Sequence, residues 1–115
     1  MTAPFVQIIT DLAVVSEGEL LARVARAGSL PPEARLRLSV QLRDPELPLR
    51  ALLRLGGALR EATSAIGARL VVNDRVDLAF LLSADGVHLG RRSMSVEEAR
   101  SLLGAKVWIS TSAHA

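Results

Sequence analysis

The sequence predicts an α/β protein built on a parallel sheet, and three observations predict it. Short apolar runs alternate with segments of helical periodicity, in the order β-α-β-α-β-α-β-α-β. The strand candidates carry continuous Leu, Val and Ile, as expected where both faces of a sheet are covered. Polar clusters stand at or just past the C-terminal ends of successive strands: Asp11, Gln41 to Asp44, Asn73-Asp74, Arg91 to Ser93 and Ser110 to His114. In parallel α/β folds those ends line the ligand site, so polar clusters in register at one end of the sheet point to a shared one.

Each element has a local reason. Phe5 to Ile9 is a β-branched run closed by Thr10-Asp11. Glu17 to Ala27 places Leu20, Leu21, Val24 and Ala27 on one helical face, with Ser16 as N-cap. Gly28, Pro31 and Pro32 break that helix. Leu36 to Leu42 alternates apolar and polar residues as a strand does, and ends in Arg43-Asp44-Pro45. Leu49 to Ile66 reads as a helix weakened in its middle by Gly56-Gly57. Arg69 to Val72 is a strand, Val76 to Leu82 a short helix, and Gly86 to Leu89 a strand. Ser95 caps a helix through Leu103, with Glu98 in capping-box position, and Gly104 stops it. Lys106 to Ser110 is the fifth strand. Strand–helix–strand repeats of this kind imply right-handed crossovers.

Composition narrows the function classes. At 115 residues and half hydrophobic, the chain suits one modest domain with a real core. It has no Cys and no Tyr; Phe5, Phe80 and Trp108 are its only aromatic residues. The absence of Cys excludes a disulfide framework and a thiolate zinc site, and fits a cytoplasmic protein. No apolar run reaches the roughly 18 residues of a membrane span, and no signal-peptide pattern opens the chain. The formal charge is only +2, and the basic side is arginine apart from Lys106. The arginines are dispersed and lack aromatic interleaving, which argues against a nucleic-acid partner.

The strand-end segments "ITD", "QLR", "VNDRVDLA", "ADGVHLG" and "STSAH" resemble the thiamine phosphate synthase family, which includes the thiazole tautomerases. The resemblance implies a (β/α)8 TIM barrel, of which this chain, taken as one partial domain over residues 1–115, matches the first four βα units plus the fifth strand. A complete barrel takes about 250 residues. It also implies synthase chemistry, in which a pyrimidine pyrophosphate is joined to a thiazole phosphate and Mg²⁺ carries the charge of the departing pyrophosphate. The physical demand is clear: cations and donors must stand where that charge develops.

Residue by residue, the resemblance assigns Gln41 and Arg43 to substrate binding on the second strand, Asn73 to pyrophosphate and Asp74 to the metal. Ser112 takes a phosphate contact, and His114 falls at the acid/base position of the tautomerases. The chain departs from the pattern at three places. Pro45 replaces a lysine, Ser93 replaces the second metal Asp, and Arg91 replaces a Gln. Local charge therefore shifts from anion plus metal towards bare cation, with Arg91 joining the phosphate-binding set. That favours a tautomerase-like homologue, or a binding or assembly module without catalysis, as alternatives to a synthase.

The residues also admit plainer readings. Asp74 could cap the helix that follows, Arg91-Arg92 could form a solvated turn, and His88 could be a core histidine bonded to backbone. Five parallel strands cannot close an eight-stranded barrel. The expectation is thus a fragment, a truncated product or a half-barrel that pairs with a second copy. An inner face lined by residues such as Val40, Val71 and Val87 would otherwise meet water, at about 1.5–3 kcal/mol per side chain.

Overall fold

A computed structural model describes residues 6–12, 15–91 and 93–112. Five parallel strands, β1 (Val6–Ile9), β2 (Leu38–Leu42), β3 (Arg69–Asn73), β4 (Gly86–Leu89) and β5 (Trp108–Thr111), pair strictly in sequence order. Between them run α1 (Glu17–Arg26), a 3-10 turn at Ala27–Ser29, α2 (Pro32–Arg35), α3 (Leu49–Ile66), α4 (Val76–Leu81) and α5 (Val96–Leu103). Phe5 lies outside the described residues.

Local chemistry explains the helix ends. The Ser16 hydroxyl accepts from the Glu19 amide to open α1. Ser95 and Glu98 form a complete capping box at α5. Gly67 ends α3 with φ at 76°, a left-handed turn that glycine adopts without a Cβ penalty. The Gly56 site is set by packing instead: a Cβ there would lie 2.4 Å from a Leu82 methyl and 3.2 Å from Leu42. The propensity lost at Gly56 allows α3 to sit close to β2 and to the end of α4.

One face of the sheet carries the core. Val40, Leu42, Leu70, Val72, Val87 and Leu89 pack with Leu20 and Val24 of α1 and Leu52, Leu55 and Leu59 of α3. Val76, Leu78 and Ala79 of α4 and Ala99 of α5 complete it. Nearly all of these side chains are fully buried. Parallel register puts Val40 beside Leu70 and Val72 beside Val87, so all four point to the helices.

This corrects the expected inner face. Of Val40, Val71 and Val87, only Val71 points away from the helices. Its face also carries Ser39, Gln41, Arg69, Asn73, His88 and Ser110, with Trp108 set over Gly86. The helix-free face is therefore largely polar, and Ser39, Gln41 and Val71 on it are already buried. The cost assigned to a bare apolar face is therefore confined to residues such as Ile9, which pairs with Gln41 on that face and is exposed. The two edges remain: β1 and β5 each pair with a single neighbour.

Smaller differences have local causes. The alternation expected across Leu36 to Leu42 is absent, because all five residues of β2 are buried and Leu36 lies in the preceding turn. Pro32 opens α2 rather than only breaking α1, since a missing N–H costs nothing at the first helical position. The fifth strand begins at Trp108, where its amide reaches the Asp85 carbonyl. Arg100 ties down the preceding segment through the Gly104 and Val107 carbonyls. Among the described residues, no helix is long and apolar enough to cross a membrane.

Candidate functional site

The C-terminal ends of β2, β3, β4 and β5 converge. Arg43, Asn73, Asp74, His88, Arg91 and Ser112, with Gly90 and Ser93, line one cleft of about 380 Å³. Two neighbouring clefts share its wall. One of about 260 Å³ runs between the β2 and β3 ends and includes Arg43, Asn73 and Asp74. The largest, about 680 Å³, lies between the loops after β1 and β2. Arg43 borders all three.

The backbone at Arg43 is pinned from β1. Its amide donates to the Thr10 hydroxyl at 2.8 Å, and that hydroxyl donates to Asp44. The other Asp44 oxygen accepts from the Leu12 amide at 3.1 Å, so one carboxylate ties two strand-end loops together. The guanidinium of Arg43 is left exposed, with no hydrogen bond or ion pair among the described residues.

At the end of β3 the chain turns sharply. Asp74 has φ at 70°, a left-handed conformation that Asp tolerates better than most residues. Its amide donates to the His88 carbonyl at 2.7 Å, extending the ladder by one step. Its carboxylate accepts from the Ser93 hydroxyl, which itself accepts from the Gly90 amide at 2.8 Å. Asp74 therefore does not cap α4. The N-cap is Arg75, whose guanidinium bonds Asp77 at 2.8 and 3.1 Å. Those hydrogen bonds hold the Asp77 carboxyl below the usual carboxylate range and raise Arg75.

His88 is a second correction. Its ring is bonded not to backbone but to two serines: Nδ1 lies 2.8 Å from the Ser110 hydroxyl and Nε2 2.9 Å from that of Ser112. His88 pairs in register with both Asn73 and Ser110, which places all three on the helix-free face. Period-2 spacing from Gly86 was the available signal; the serine partners come from β5 and were not legible locally.

Of the residues expected in the site, Arg43, Asn73, Asp74, Arg91 and Ser112 share the cleft. Gln41 does not line it. It is buried on the helix-free face, and its carbonyl accepts from the Thr10 amide. His114 and Arg92 lie outside the described residues.

The donor set does not suit Mg²⁺. This ion takes carboxylate oxygens and substrate phosphates in near-octahedral geometry. Asp74 is the one carboxylate on the cleft, and the Ser93 hydroxyl already engages it. Two guanidiniums stand on the same wall, and no group of three potential ligands occurs among the described residues. The cleft instead gathers two cations, an amide, two serine hydroxyls and an imidazole against a single carboxylate, a donor set with the chemistry to meet an anion.

Fold and cleft together define a class: a singly wound segment of a βα barrel with two exposed guanidiniums on the cleft at its strand ends. The chain belongs to the thiamine monophosphate synthase family, whose pattern it matches over residues 7–115. It is 46% identical over 107 residues to a relative from Geobacter sulfurreducens, covering 93% of this chain and 48% of the relative. It is 40% identical over 99 residues to a thiamine-phosphate synthase of Roseiflexus castenholzii, covering 86% of this chain and 41% of that one. Among solved structures it is similar to a thiamine phosphate pyrophosphorylase from Pyrococcus furiosus, with a TM-score of 0.70 and 30% identity. That match covers 92% of this chain and 48% of the other. The five strands thus correspond to about half of such a barrel, and the chain spans less than half the length of these relatives.

Proposed function

We propose that this chain supplies the pyrophosphate-holding part of a thiamine-phosphate synthase site, where a pyrimidine pyrophosphate is joined to a thiazole phosphate. The observation that carries the reading is the single cleft shared by Arg43, Asn73, Arg91 and Ser112 at the strand ends. As the pyrophosphate departs it takes the bonding electron pair, and its oxygens gain charge. Arg43 and Arg91 offer planar forks that meet phosphate oxygens bidentately. The Asn73 amide and the Ser112 hydroxyl add neutral donors. Asp74 contributes by holding the loop after β4 through Ser93, which sets where Arg91 stands.

The excess of cation over carboxylate also supports a second reading, a tautomerase-like homologue that grips a thiazole phosphate without metal. One experiment separates the two. The purified full chain is incubated with both substrates, with and without Mg²⁺, while thiamine phosphate, released pyrophosphate and the thiazole tautomer are followed. Thiamine phosphate formation supports the synthase reading; tautomer conversion alone supports the second. No turnover, with calorimetry showing that neither pyrophosphate nor thiazole phosphate binds, would remove both and leave a binding or assembly role.

A further inference from the structure

The His88 ring sits between two hydroxyls of different situation. Ser112 lines the cleft and Ser110 does not. A neutral imidazole has one N–H donor and one bare acceptor nitrogen, while each serine has one proton and two lone pairs. The two tautomers therefore give the cleft opposite faces. With the proton on Nδ1, the ring donates to Ser110, and Nε2 accepts a hydrogen bond from the Ser112 hydroxyl; the cleft then meets serine lone pairs. With the proton on Nε2, the ring donates to the Ser112 oxygen and Nδ1 accepts from Ser110. The Ser112 proton is then free to turn outward.

We propose that His88 is a positioning residue: with an anion in the cleft it takes the Nε2–H tautomer, so that the Ser112 hydroxyl donates to the anion. This rests on the anion-binding reading above and adds the group that sets donor polarity at one wall. An anion between Arg43 and Arg91 repels lone pairs and attracts O–H, so it selects this arrangement. Ser110 accommodates the choice by donating to Nδ1. The ring reaches Ser112 but need not touch the anion.

The test pairs two substitutions with one spectroscopic signature. A glutamine amide can reach the position of Nε2, whereas an asparagine amide reaches only that of Nδ1. In the full chain, His88→Gln should keep inorganic pyrophosphate affinity within about twofold, while His88→Asn should lose about tenfold, the effect of one donor to a charged group. Thermal melts of both variants must show folded protein for the comparison to count. Imidazole ¹⁵N spectra of the pyrophosphate-saturated chain should show protonated Nε2 and bare Nδ1. The His88 signals are those absent from both variants. If the wild-type chain binds no pyrophosphate, the anion-binding reading fails and this inference falls with it. If it binds but carries the Nδ1–H tautomer, or if both variants lose affinity equally, the positioning role is overturned and the anion site stands. Should either variant unfold, the ¹⁵N spectrum of the wild type decides alone.

Discussion

The two ends of the sheet use arginine in opposite ways. At the N-terminal end three guanidiniums are committed to the fold. Arg35 donates to the Gly28 carbonyl at 2.9 Å, and Arg100 donates to the Gly104 and Val107 carbonyls at 2.8 and 2.6 Å. Arg60 bonds the Ser83 carbonyl and the Asp85 carboxylate, which also accepts from the buried Leu70 amide. At the C-terminal end Arg43 and Arg91 are exposed and have no such partner among the described residues. Arg75, also at that end, is tied to Asp77, so the contrast is between the structural arginines below and the two cleft arginines above. Stability and binding should therefore separate by end, and four measurements can break or sharpen that contrast.

The largest effect is expected at the lower end. Asp85→Ala strands the buried Leu70 amide and removes the ion-pair partner of Arg60, which keeps only its Ser83 and Thr63 bonds. It should cost about 3 kcal/mol, since an unsatisfied buried donor alone costs roughly 1–3. Urea unfolding measures this, and pyrophosphate affinity of the remaining folded protein should be unchanged. Arg43→Ala should do the reverse. Losing a charge-assisted bond should weaken pyrophosphate binding by about 2 kcal/mol, with unfolding free energy within about 0.5 kcal/mol of wild type. Calorimetry and denaturation on the same preparation decide; a large stability loss would erase the contrast.

Asp74→Asn comes next. It removes the one carboxylate on the anion cleft, so pyrophosphate should bind more tightly by about 0.5–1 kcal/mol at low salt. A chelator should leave wild-type binding unaltered, because no cation is needed to screen the anion. Binding that collapses with chelator would restore a metal role for Asp74, whereas collapse in the variant alone would point to its hold on the loop through Ser93. The smallest effect belongs to the exposed Arg75–Asp77 pair. Arg75 depresses the Asp77 carboxyl, so the pair's contribution is present above the ordinary carboxylate range and is lost as pH falls through the lowered value. Carboxyl NMR titration should place Asp77 below its ordinary range, while Asp77→Asn should change stability by less than about 1 kcal/mol at neutral pH.

Much of this was legible in the sequence because it is local. The span Leu49–Ile66, the span Gly86–Leu89 and the capping box at Ser95 follow from residues a few positions apart. The family resemblance then gathered five of the cleft residues before any geometry. What escaped depends on neighbours across strands. Face assignment failed for Val40 and Val87 because a strand buried on both sides loses its period-2 signal, as β2 shows. His88 was misread because the hydroxyls that hold it arrive from β5. Asp44 looked like part of a polar run, yet it latches the loop after β1 through Thr10 and Leu12, residues more than thirty positions earlier.

The sequential pairing of the strands has a kinetic consequence. No strand waits for a partner beyond the next βα unit, so each new unit has its docking edge ready when it is made. A chain leaving the ribosome can close β1 on β2, with α1 and α3 packed behind them, while the residues of β5 are still unsynthesised. Growth from one end carries a low loop-closure cost at every step, because the separation between partners never accumulates. Force-sensing arrest of nascent chains cut after successive strands should register a fold gained unit by unit rather than one late collapse.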